Sequence, residues 1–91
     1  MLRTMLVGYD LNQPGQDYDR LIKKLESFPS WWHHLDSTWL VKTEHTAKQL
    51  RDQLAPLVDQ GDELLVIEVT DAAAAWTGFP ASGSQWIKDN L

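Results

Sequence analysis

The chain contains no cysteine, so a disulfide framework and a thiolate metal site are both excluded. That absence suits a reducing compartment, and the expected location is the cytoplasm. No apolar run approaches the roughly 20 residues that a membrane-spanning helix requires, and the N-terminus leads straight into a strand pattern. Neither a membrane segment nor a signal peptide is therefore expected. Basic residues are few: 8 Lys and Arg stand against 13 Asp and Glu, a net charge of −5. Proteins that grip phosphates usually present a basic surface, so this balance disfavours a nucleic-acid partner. A glycine-rich phosphate loop, a serine nucleophile elbow and a dinucleotide fingerprint are all missing, which removes most small-molecule enzyme classes. Repeats, low-complexity tracts and linkers are missing too. One domain covering residues 1–91 is expected, built on a single modest core.

What is present reads as a mixed α/β pattern. Residues 3–9 are apolar on both faces, as in a strand at the middle of a sheet. Tyr18, Leu21, Ile22, Leu25 and Phe28 recur at helical spacing with Lys23, Lys24 and Glu26 outward, and Pro29 closes this first helix. Residues 31–43 are dense in aromatic and β-branched types but are broken at Asp36-Ser37, which predicts two short successive strands joined at a bulge or kink. Thr46 with Gln49 forms a capping-box pattern ahead of the stripe Ala47, Leu50, Leu54, Leu57 and Val58, a second helix that stops at Gln60-Gly61-Asp62. Residues 64–69 then read as a buried strand. Strand, helix, strand pair, helix, strand is the order of a ferredoxin-like α/β (α+β) sandwich, βαββαβ, with both helices on one sheet face.

That core occupies residues 3–70, and residues 71–91 form an extension. Residues 72–77 are expected to add a short strand carrying Trp76. Ser82 with Gln85 suggests another capping box and a short final helix docked through Trp86, Ile87 and Leu91. Five tryptophans are too many for two short helices to hide, and residues 64–69 are aliphatic on both sides. Either the extension covers the second sheet face or a partner does. A symmetric dimer with Trp39, Leu64, Val66 and Trp76 at its interface is the expectation.

The chemistry-bearing position is Asp10, at the abrupt end of the first apolar run and just before the loop Leu11-Asn12-Gln13-Pro14-Gly15. Two readings are open. The carboxylate either caps the loop as an Asx-turn, accepting from the N–H groups of residues 12 and 13, or it holds a cation in a cleft.

The segment Tyr9-Asp10-Leu11, the run Leu35-Asp36-Ser37-Thr38-Trp39-Leu40-Val41, the helix opening Thr46-Ala47-Lys48-Gln49-Leu50 and the turn Asp62-Glu63-Leu64-Leu65-Val66-Ile67 occur in that order. Together they resemble the small CRISPR-associated adaptation protein that assists the spacer integrase. Virulence-associated ribonuclease toxins are a second relative by the same likeness. The resemblance covers roughly residues 3–70 and implies a ferredoxin-like homodimer, with metal-dependent nuclease activity in some members and a DNA-bridging structural role in others. It implies that Asp10 is a metal ligand across the dimer interface and that Ser37 lies close to it, the two forming the catalytic site. A two-fold axis joining two Asp10 carboxylates would favour Mg²⁺ or Mn²⁺, which can polarise a phosphodiester and help generate hydroxide. The chain departs from the family pattern where Gln16, Asp17, Tyr18 and Asp19 follow the aspartate and where Trp31-Trp32-His33-His34 leads into the serine. Both departures weaken a grip on phosphate.

The adjacent His33 and His34 point to opposite faces of an extended segment and cannot share one ion, whereas His34 and Asp36 share a face. His45 lies beside a helix start and is expected to be solvated. Lys23, Lys24, Lys48 and Arg51 read as solvated helix faces interleaved with acids. The expected function is a dimeric scaffold or regulatory interaction protein whose nuclease role is lost. The alternatives are a metal-dependent endonuclease of RNA or DNA and a non-catalytic nucleic-acid adaptor.

Overall fold

The computed structural model describes residues 2–12 and 18–91. Among them the chain forms β1 (Arg3–Asp10), α1 (Asp19–Glu26), β2 (Ser30–Leu35), β3 (Thr38–Thr43), α2 (Ala47–Leu54), β4 (Glu63–Glu68) and α3 (Ala81–Asn90), with a 3₁₀ turn, Ala55–Leu57, after α2. The protein is α+β, with one antiparallel sheet in the order β2-β3-β1-β4. No helix among these residues is long and apolar enough to cross a membrane.

β1 lies between β3 and β4, with Val7 opposite both Trp39 and Val66, which is why its sequence is apolar on both faces. Alternation then sorts the sheet into two layers. Met5 and Val7 of β1 and Trp39 and Val41 of β3 turn toward α1 and α2, where Leu21, Leu25, Leu50 and Leu54 complete a core with no exposed surface. Leu6, Leu40 and Trp32 turn the other way, into a second cluster with Ile87, Trp86, Phe79 and Leu91. The single core expected from the sequence is thus two, one on each side of the sheet. The extension covers the second face, and it does so over β2, β3 and β1.

The local signals behave as their chemistry requires. Thr46 and Gln49 close a full capping box on α2, with Gln49 N–H donating to Thr46 Oγ1 at 3.2 Å and Thr46 N–H to Gln49 Oε1 at 2.9 Å. Gly61, at φ +94°, takes the left-handed conformation that reverses the chain into β4. The break at Asp36-Ser37 is a two-residue turn joining β2 to β3, and the irregularity lies upstream, between Trp32 and Leu35.

Three expectations are corrected. Residues 72–77 form no strand: Asp71 turns the backbone at φ +57°, and Trp76 is drawn away from the sheet edge by its Nε1–H bond to Ser84 Oγ at 3.0 Å. The Ser82–Gln85 capping box does not form, because α3 starts at Ala81 directly after Pro80, leaving both residues inside the helix with Gln85 donating to Asp89. Residues 64–69, read as a buried strand, lie at the sheet edge, where Leu65 and Ile67 remain 56% and 45% exposed.

α3 is tied down by polar as well as apolar contacts. The Lys42 ammonium donates to the Asn90 carbonyl at 3.2 Å, at the negative end of the helix, and to Thr4 Oγ1 at 2.9 Å. Thr4, fully buried, donates its hydroxyl to the same Asn90 carbonyl at 2.6 Å. Trp86 Nε1–H donates to Ser30 Oγ at 2.8 Å. Near its start the helix backbone presses on an indole edge: a Cβ at Gly83 would lie 3.1 Å from Trp32 Nε1, a buried atom with no hydrogen-bond partner among the described residues.

Candidate functional site

Asp10 is the last residue of β1 and is exposed, on the same sheet face as Leu6 and Gly8. Its partner in the ladder is Glu63, the first residue of β4. Two carboxylates thus stand directly opposite one another beside a shallow depression lined by Gly8, Tyr9, Leu64 and Leu65. Like charges directly opposite across strands repel, and a cation between them relieves the strain. Mg²⁺ characteristically binds through one or two carboxylates while keeping several waters, and this pair has the chemistry to hold one. No group of three or more potential metal ligands occurs among the described residues.

The capping role considered for Asp10 belongs to Asp62. Asn12 N–H donates to Asp62 Oδ1 at 2.7 Å, and Tyr18 hydroxyl and Asp59 N–H donate to Oδ2 at 2.8 and 2.7 Å. Partial desolvation raises the pKa of this half-buried carboxyl, but the three donors outweigh it and hold the group below the usual carboxylate range. Asp62 therefore binds both sides of the loop after β1 to the turn before β4. Residue 13, the other expected capping donor, and Gln16 and Asp17, expected to weaken phosphate contact, lie outside the described residues.

Ser37 lies in the β2–β3 turn, exposed, and its backbone carbonyl accepts from Tyr9 N–H at 3.1 Å. The chain thereby holds Ser37 one ladder position from Asp10. Around that turn Trp39 Nε1–H donates to Tyr9 hydroxyl at 3.0 Å, and Tyr9 hydroxyl donates to the Asp36 carbonyl at 3.4 Å. His33 stacks on Trp39 with ring centroids 3.8 Å apart, and its Nε2 lies 3.1 Å from the Asp36 carbonyl. It is His33, not His34, that meets residue 36, through the backbone. His34 packs edge-on against Phe79 at 5.1 Å. His45, expected in solvent, is half-buried with its Nε2 3.0 Å from Gln53 Nε2.

Of the four residues expected at an interface, Trp39 and Trp76 are taken up in the chain's own clusters, while Leu64 and Val66 are covered only in part, on the edge strand. Trp39 is fully enclosed in the core under α1 and α2, Leu64 and Val66 pack partly buried against that same core, and Trp76 belongs to the cluster under α3. The alternate residues of the same strand, Leu65 and Ile67, carry the exposed apolar surface instead. Lys23, Lys48 and Arg51 are on exposed helix surfaces as expected, while Lys24 is half-buried with its Nζ 5.4 Å from the Phe28 ring centroid. On the second face, a cleft of about 240 Å³ lies between the sheet and the extension, lined by Leu6, Leu40, Trp76, Phe79 and the alanines 72–75 among others.

Sequence reasoning singled out Asp10 and missed Glu63 and Asp62 as its neighbours. In the sequence Glu63 reads only as part of the acidic turn ahead of residues 64–69, and the register that sets it against Asp10 joins positions 53 apart in the chain. Comparison of the chain with protein-family models, with curated proteins and with solved structures gives no match.

Proposed function

We propose that this chain is a ferredoxin-like sandwich that works as a small homodimeric interaction scaffold in the cytoplasm. Read from the other edge, the strand order is β4-β1-β3-β2, with α1 and α2 both packed on one face, and this supports the ferredoxin-like assignment. The observation that carries the scaffold reading is the state of β4. Leu65 and Ile67 project from one face of a strand that has a neighbour on only one side. A lone exposed leucine is ordinary, whereas two large aliphatics on an unpaired edge make a ready contact for another polypeptide. The acidic balance of the surface fits protein contacts better than phosphate contacts.

Sedimentation across the micromolar range tests this. The native chain is expected to sediment as a dimer, and Leu65→Lys with Ile67→Lys to return it to a folded monomer whose melting temperature no longer depends on protein concentration. A native chain that stays monomeric throughout overturns the reading.

A second reading is favoured by the Asp10–Glu63 pair. In it the protein is a metal-dependent nuclease, with Mg²⁺ or Mn²⁺ held by these carboxylates and Ser37 nearby. Incubating the purified protein with RNA and DNA, with metal and with chelator, separates the two. Cleavage that needs metal and is lost in Asp10→Asn establishes the nuclease, and no cleavage under any condition leaves the scaffold.

A further inference from the structure

We infer that two copies of this chain join edge to edge, β4 against β4, into one continuous eight-stranded sheet. This rests on the scaffold reading above and specifies the surface it uses.

The hydrogen-bond phase of β4 is fixed by its inner neighbour. Val69 N–H donates to the Thr4 carbonyl at 2.8 Å, and antiparallel ladders alternate, so Ile67, Leu65 and Glu63 direct their backbone groups toward β1. Leu64, Val66 and Glu68 therefore direct theirs outward, and no described residue bonds to those of Leu64 or Val66. The edge also lacks the usual protection. It has no proline, no bulge against β1 and no lysine, and its charges are confined to the two ends, Glu63 and Glu68.

The sequence of the edge suits a copy of itself. Glu63-Leu64-Leu65-Val66-Ile67-Glu68 holds four aliphatics between one acid at each end, so an antiparallel copy can set aliphatic against aliphatic at its middle. A two-fold axis through Val66 pairs the outward groups of Leu64 with those of the partner's Glu68, and Val66 with the partner's Val66. On one face Leu65 then meets the partner's Ile67, burying both exposed aliphatics of each chain in a single stripe. On the other face the partner's Glu68 comes opposite Leu64. There, Lys48 and Arg51 of α2 line a groove together with Leu64 and Val66; Arg51 is already paired with Asp52, so Lys48 is the cation the incoming carboxylate meets first. The symmetry doubles that contact. Shifting the axis to either end of the strand would instead bring Glu63 or Glu68 against its own copy, a repulsion that disfavours the end registers.

The absence of cysteine makes a direct test available. In the full chain, Val66→Cys places two thiols across the axis, within the Cα separation of roughly 4.4–6.8 Å that disulfides span. Under mild oxidation it is expected to cross-link to near completion as a dimer, whereas Asp10→Cys, on the broad face of the sheet, is expected not to. Glu68→Lys should weaken dimerisation about tenfold or more, and adding Lys48→Glu and Arg51→Glu should restore it. A dimer in which Asp10→Cys cross-links and Val66→Cys does not overturns the edge-to-edge arrangement while leaving the scaffold reading intact. So does a dimer in which neither cross-links. A chain that is monomeric in sedimentation overturns both.

Discussion

Asp62 shows how one side chain organises a loop from a distance. Its two oxygens take three donors, from Asn12, Tyr18 and Asp59, and so join the end of β1, the approach to α1 and the turn before β4. Because the folded pKa is depressed, the stabilisation is present at neutral pH and disappears as pH falls through that depressed folded value. Asp62→Asn keeps one acceptor oxygen and is expected to lower the melting temperature at pH 7. The gap between variant and native chain should close as pH falls through that value, as followed by thermal melts across pH. The sequence offers Asp10 as a loop cap, beside the reading as a cation ligand, because an aspartate before a loop has local N–H groups within reach. The capping carboxylate is instead supplied 50 residues further along. Local pattern reading has no access to such a pairing, and for the same reason Glu63 went unnoticed opposite Asp10.

Among the elements, α3, like α1 and α2, depends on the rest of the fold. It is only 10 residues long, too short to persist alone in water. Its apolar anchors Trp86, Ile87 and Leu91 were legible from their spacing, and so was the capping box of α2, since both signals are local. Lys42 was not legible as an anchor, because alternation in β3 marks it only as pointing away from the first core. Its ammonium acts with Thr4 to hold the Asn90 carbonyl. Lys42→Met should destabilise the protein by about 1–3 kcal/mol in urea unfolding, through the lost charged hydrogen bonds and the uncapped helix end. Hydrogen exchange should locate the loss first in α3, ahead of β1 and β3.

At the scale of the molecule, the sequence conveyed the run of strands and helices well, because periods of 2 and 3.6 survive in short segments. It did not convey which strand would be an edge. An aliphatic run such as residues 64–69 has the same composition whether both faces are covered or only one, and here α3 reaches across β2, β3 and β1 and leaves β4 open. The symmetric interface expected at Trp39, Leu64, Val66 and Trp76 rests on the number of tryptophans and on the two-sided aliphatic character of residues 64–69, neither of which tells a second core from a partner. The two layers share a sheet but divide their indoles. Trp39 belongs to one; Trp32, Trp76 and Trp86 belong to the other. The chain therefore carries its own optical reporters of α3. Release of that helix alone would shift the emission of three indoles toward the red while Trp39, stacked on His33 beneath two other helices, kept the emission of an enclosed ring.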